Sequence, residues 1–142
     1  MTILIIEDDV GHYELIERCF NQQSTAKSIR HIADGESALD YLFQRGKFTD
    51  PVQNPRPNLI LLDIRIPKID GLNVLKQIKE SPDLRYIPVI ILTTSKSMKD
   101  LKTAYDNYVN SYLVKPTEFK QLKEMIRDLE NYWLSYNQQP IV

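Results

Sequence analysis

The sequence holds a single cysteine, Cys19, and only two histidines, His12 and His31. One thiol excludes an internal disulfide and any cysteine-only metal site, and its setting in "LIERCF" reads as a small buried residue on a helix. Neither histidine follows a metal-ligand spacing, and both read as structural. No sign of charge dominates: 18 Lys and Arg against 19 Asp and Glu leave a formal net charge of -1. That balance offers no field for a polyanion or an acidic membrane surface, so neither nucleic acid nor a membrane is expected as a partner. No apolar run approaches the ~20 residues that span a bilayer, and no charged N-terminal segment leads into a long apolar one. These absences point to the cytoplasm. Repeats and low-complexity tracts are missing too, so the 142 residues are expected to form one domain, with 137–142 a mobile tail unless it docks.

What is present is a series of short apolar runs. "TILII" (from Thr2), "LILLD" (59–63), "IPVIILT" (87–93) and "SYLV" (111–114) lack the alternation of a sheet with one wet face, and read as strands buried on both faces. "SIRHIA" (28–33) alternates more and suits an edge. Segments with helical spacing follow each run, so the chain reads as five strand–helix repeats. Each parallel neighbour needs a crossover, and the crossover helix covers a sheet face; the class is therefore α/β with a doubly wound parallel sheet. Asp34 and Thr117 are expected as helix N-caps, and Pro82 closes the helix that ends in "KES". The Pro-rich stretch 45–58 reads as a loop.

The first run ends on three acids, Glu7, Asp8 and Asp9, and the third ends on another, Asp63. In such a sheet ligands collect beyond the carboxyl ends of the strands. Several carboxylates converging there raise each other's proton affinity unless a divalent cation joins them, and hard oxygen donors favour magnesium, with manganese possible. The fourth run brings a hydroxyl to the same rim, from Thr93 or Thr94, and the fifth brings the Lys115 ammonium. A carboxylate nucleophile, a metal, a hydroxyl donor and a fixed cation are the inventory an acyl phosphate needs.

The motifs "IIEDD", "LLDIRIPKIDG", "ILTTS" and "YLVKP", in that order, make the chain resemble the receiver domains of two-component response regulators. The resemblance implies a flavodoxin-like fold of five strands in order 2-1-3-4-5. It also implies Asp63 as phosphoacceptor, Asp8 and Asp63 as magnesium ligands, Glu7 acting through water, and the Arg65 carbonyl as a further ligand. By the same likeness Thr93 bonds the phosphoryl group, Lys115 pairs with it, the Lys115–Pro116 peptide is cis, and Tyr112 is a switch residue that swings inward. The Pro-rich insertion before "PNLILLD", the stretch "LTTSKS" and the final "ENYWL" look similar to the single-domain regulators of cyanobacterial and bacterial phytochromes.

The implied role is a phosphorylation-controlled binding module rather than an enzyme, charged by a sensor histidine kinase and able to pass the group to a histidine phosphotransfer protein. Phe119, Leu122, Ile126, Leu129 and Trp133 form a stripe read mostly as core. Met125, Tyr132 and Tyr136, with Trp133 and Leu134, widen it, so a homodimer through the fourth helix, fifth strand and fifth helix is expected. The rival reading is a haloacid-dehalogenase-type magnesium-dependent phosphatase. That class carries an acid two residues after its nucleophile, where this chain has Arg65. A dinucleotide site is disfavoured because "EDDVGH" replaces a glycine-rich loop and would repel pyrophosphate.

Overall fold

In a computed structural model, which describes residues 1–22 and 26–140, strand and helix alternate five times. The strands are β1 (Thr2–Ile6), β2 (Ser28–Ile32), β3 (Leu59–Leu62), β4 (Val89–Thr93) and β5 (Ser111–Val114). The helices that follow them are α1 (Val10–Asn21), α2 (Gly35–Leu42), α3 (Gly71–Glu80), α4 (Met98–Asp106) and α5 (Phe119–Glu130). All neighbouring strands are parallel, in the order β2-β1-β3-β4-β5, the expected flavodoxin-like arrangement. Strand order reverses at β1 and β3, so a crevice opens beyond their carboxyl ends.

Successive side chains of a strand point to opposite faces. Leu4, Ile6, Ile60 and Leu62 pack with Leu39, Val74, Leu75, Ile78 and Ala104 from α2, α3 and α4. Ile3, Ile5, Leu59 and Leu61 pack with Ile16, Phe20, Leu122 and Ile126 from α1 and α5, and Cys19 is buried there. Burial on both faces is why these runs read as unbroken apolar stretches. β5 departs from the expectation: it is only half-buried, because it ends the sheet opposite β2 and has a neighbour on one side alone.

Helix starts are set by short polar side chains. Asp9, Asp34, Asp70 and Ser97 each accept from a backbone N–H one turn into α1, α2, α3 and α4. α5 differs. Its cap position is Glu118, not Thr117, and no side chain caps it, so its stability rests on the buried stripe of Leu122, Ile126 and Leu129. α3 stops at Glu80, before Pro82.

α5 then widens into a π-helical stretch, Asn131–Tyr136. The wider turn advances the inward-facing position by five residues rather than four. Leu134, 6% exposed, therefore follows Leu129 into the core, where a stripe at α-helical spacing would have placed Trp133. Leu134 is thus withdrawn from the outer surface expected of it, while Tyr132 and Tyr136 remain exposed. Beyond the helix, the Asn137 N–H donates to the Tyr132 carbonyl at 2.7 Å and the Gln139 amide to the Trp133 carbonyl at 3.1 Å. Of the expected tail, Ile141 and Val142 lie outside the described residues.

Two glycines let the crevice close tightly. A Cβ on Gly71 would lie 2.1 Å from the Asp63 carbonyl oxygen, and one on Gly35 would lie 1.9 Å from that of Ile69. The start of α3 can pass that close to the end of β3 only without a side chain. The expected cis peptide at Lys115–Pro116 is not found: no cis bond occurs among the described residues. Even before proline the trans isomer is intrinsically favoured, by about 0.5–1 kcal/mol.

Candidate functional site

The three acids after β1 divide into three environments. Glu7 is buried, 2% exposed, and its N–H still pairs with the Ile32 carbonyl of β2 at 3.0 Å. Asp8 is exposed at the rim. Asp9 is the α1 cap, its Oδ1 accepting from the His12 N–H at 2.9 Å, and that bond holds its carboxyl below the usual carboxylate range. Capping therefore accounts for one acid and leaves two for other work.

Asp63 sits at the end of β3, where its N–H donates to the Ile6 carbonyl at 3.0 Å and ties the two strand ends together. Its Oδ1 accepts from the Ile64 N–H at 2.7 Å, and its Oδ2 from the Lys115 ammonium at 3.0 Å. The carboxylate oxygens of Glu7, Asp8 and Asp63 that face this space all lie within 4.8 Å of one another. Lys115 is placed by β5, its N–H donating to the Thr93 carbonyl at 2.7 Å, and its ammonium also donates to Glu7 Oε1.

The electrostatics follow from this crowding. Burial pushes the Glu7 carboxyl up to about 7, with the Asp63 charge adding to the rise and the Lys115 contact opposing it. Burial by itself would lower the Lys115 ammonium, but its bonds to Glu7 and Asp63 and their charges outweigh that and hold it above its ordinary value. The Asp63 charge acting on Glu7 and the pull of both carboxylates on Lys115 show a pocket rich in negative charge, one that gains from another positive charge. Three convergent carboxylates with a surplus of charge fit a hard divalent cation, and the donor set is all oxygen.

Thr93 ends β4 almost fully buried, and its hydroxyl accepts from the Ser95 N–H at 3.2 Å. Thr94, the alternative hydroxyl, is exposed and lines a cleft with Lys115, His12 and Pro116. Tyr112 stands back from the acids: half-buried, its hydroxyl donates to the Ser95 carbonyl at 3.0 Å, two residues past Thr93. The Arg65 guanidinium points away from the pocket and donates to Asp100 at 2.7 Å, where the Ser95 hydroxyl also donates at 2.6 Å. Its charge is thus engaged on the α4 side of the rim.

Sequence reasoning missed two contributors. His12, read as structural, brings Nδ1 to 2.9 Å from the Lys115 Nζ and 3.8 Å from Glu7 Oε1. Its place three residues after the capping Asp9 was the available signal, since side chains of a first helical turn lean back toward the strand end. Asp100, which joins Arg65 to Ser95, left none. His31 is structural as expected, stacked on Tyr13 at 3.7 Å with Nε2 2.7 Å from the Glu7 carbonyl.

Residues 3–127 match the family model described as the response regulator receiver domain. The chain belongs to that family. Receiver domains are switches of two-component signalling fed by sensor kinases, and the dehalogenase-type phosphatase alternative finds no support. Among curated relatives, the chain is 45% identical over 138 residues to the "Probable methanogenesis regulatory protein FilR2" of Methanothrix harundinacea, covering 97% of this chain and 86% of that one. It is 39% identical over 133 residues to response regulator Rcp1 of Synechocystis, covering 94% of this chain and 88% of Rcp1. The manganese-bound crystal structure of Rcp1 superposes with a TM-score of 0.91, 37% identity and 99% coverage of both chains. That of the phosphorylated cyanobacterial phytochrome response regulator RcpA gives 0.93 and 35% identity, over 99% of this receiver and 98% of RcpA. No helix among the described residues is long and apolar enough to cross a membrane.

Proposed function

We propose that this receiver is a single-domain response regulator in which Asp63 accepts a phosphoryl group from the phosphohistidine of a sensor kinase. One observation carries the reading: the Asp63 carboxylate, bonded to the Lys115 ammonium, shares a crevice with Glu7 and Asp8. An Asp63 oxygen attacks phosphorus as the P–N bond to a kinase imidazole protonated at its other ring nitrogen breaks, giving an acyl phosphate on the receiver and a neutral histidine on the kinase. Lys115 neutralises phosphoryl oxygens as they arrive, and the Thr93 hydroxyl donates to one of them. Asp8, Asp63 and the Arg65 carbonyl, with Glu7 through water, would hold magnesium or manganese, which would supply the charge that lets two anionic reactants approach. Water later cleaves the acyl phosphate, so the chain turns over its own phosphoryl group and no external substrate.

The output is a protein contact. Tyr112 bonds the segment after β4, so a phosphoryl group that draws on Thr93 also pulls on the strand that carries Tyr112. Exposed Tyr105, Tyr132 and Tyr136, on α4 and the extension of α5, support a homodimer through the α4, β5 and α5 face. The other route for output is onward transfer of the phosphoryl group to a histidine phosphotransfer protein. The cytoplasm, where kinase histidines are charged, is its place of action. Likeness to the cyanobacterial phytochrome response regulator RcpA supports a phytochrome as the donor. The 45% identity to FilR2 favours a second reading, a kinase with a different input.

Acetyl phosphate with magnesium tests the chemistry. The parent gains the mass of one phosphoryl group and Asp63→Asn gains none; equal labelling of both removes Asp63 from the site. Transfer from a phytochrome kinase under red and far-red light tests the donor, and labelling that ignores light retires it.

A further inference from the structure

Resting on the phosphoacceptor reading above, we propose that His12 is a positioning residue that holds the Lys115 ammonium in place while its other partners change. An ammonium has three donors and no acceptor. Lys115 directs them to Glu7 Oε1, Asp63 Oδ2 and His12 Nδ1, the last two at 3.0 and 2.9 Å. Because the lysine can only donate, Nδ1 must offer a lone pair, and the imidazole proton sits on Nε2. The three acceptors are not equivalent during the cycle. Asp63 gives up a carboxylate oxygen when it is phosphorylated, and Glu7 belongs to the acid cluster suited to a cation. His12 alone is a neutral acceptor that the reaction leaves unchanged.

The scaffold supports this role. His12 stands in the first turn of α1, and its own N–H is pinned by Asp9 Oδ1 at 2.9 Å. Gly11 leaves room for that cap: a Cβ there would stand 3.3 Å from the same oxygen. The helix start thus fixes the imidazole against the end of β5, and a flexible four-carbon side chain is given a fixed direction. Lys115 is 9% exposed and His12 43%, so the contact closes the solvent side of the ammonium.

The test combines labelling by acetyl phosphate and magnesium with imidazole nitrogen NMR of the metal-free, unphosphorylated protein. His12→Leu lowers the maximal phosphorylation rate about tenfold, the scale of a hydrogen bond to a charged group. The half-saturating acetyl phosphate concentration stays unchanged. His12→Asn, whose amide oxygen can replace Nδ1 as acceptor, restores most of the rate. In a Lys115→Met background His12→Leu has no further effect, and Lys115→Met alone shifts the His12 Nδ1 resonance. A parent that labels while His12→Leu keeps the parental rate overturns the proposal, as do Leu and Asn variants equally impaired or an unmoved resonance. A parent that never labels overturns the phosphoacceptor reading, and the positioning role falls with it.

Discussion

Two ammonium groups lie at opposite ends of the sheet, and each has three acceptors. At the carboxyl end Lys115 meets Glu7, Asp63 and His12. At the amino end Lys79, in the last turn of α3, donates to the carbonyls of Arg85 and Ile87 and to the Asn110 side-chain oxygen, at 3.0, 3.0 and 2.9 Å. Burial lowers Lys79 to about 8, whereas two carboxylates outweigh burial and raise Lys115. The number of hydrogen bonds is the same, so the charge of the acceptors decides the sign. Lys79 ties α3 to the start of β4 and Asn110. Lys115 sits in a cluster with negative charge to spare, and that surplus is what a cation or a phosphoryl cycle can use.

A third pair clarifies the contrast. Lys27, just before β2, bonds Glu130 at the end of α5 at 2.7 Å, with side chains 4% and 1% exposed. This contact joins the start of β2 to the end of α5, away from the acid cluster.

The largest expected effect therefore lies far from the functional rim. Lys27→Met strands a buried carboxylate and costs about 3–5 kcal/mol in denaturant unfolding. Lys115→Met costs clearly less, because Glu7 already favours a proton and can go neutral. Equal losses would erase the distinction between the two ends. Next in size is the response to magnesium: at a hundred times its dissociation constant the parent gains about 2.7 kcal/mol. Asp8→Ala loses that gain and Lys79→Met retains it, as thermal shifts with and without chelator will read. Smaller again, Asp100→Asn weakens the bonds to exposed Arg65 and to Ser95 and costs about 1 kcal/mol in the same unfolding assay.

The amino end also carries a pH dependence. Between about 8 and 10.5 the unfolded chain keeps a Lys79 proton that the folded chain has lost. Stability from this group accordingly rises with pH across that window and is level below it. Lys79→Met flattens the rise in a pH series of melting temperatures; a rise that survives the substitution assigns it elsewhere.

Much of the rim could be read from order alone. Glu7, Asp63, Thr93 and Lys115 each stand at or just past the last residue of an apolar run, and parallel strands bring such positions to one edge. The residues acting across that edge could not be read so. His12 meets Lys115 across 103 positions, and Asp100 meets Arg65 across 35. Local pattern also misjudged the end of α5: a π-turn buries Leu134, with Trp133 packed half-buried against the same core, and Glu118 took the cap position from Thr117.

Strand periodicity and chain direction are local properties, so the amino-acid order was enough to set an α/β parallel sheet and to gather the strand-end side chains on one side. Which of three adjacent acids became buried, exposed or a cap, which histidine met the lysine, and which charges cancelled depended on how each helix is rotated against the sheet. That rotation is settled by the sum of many small packing contacts between distant residues, and no single stretch of sequence contains it.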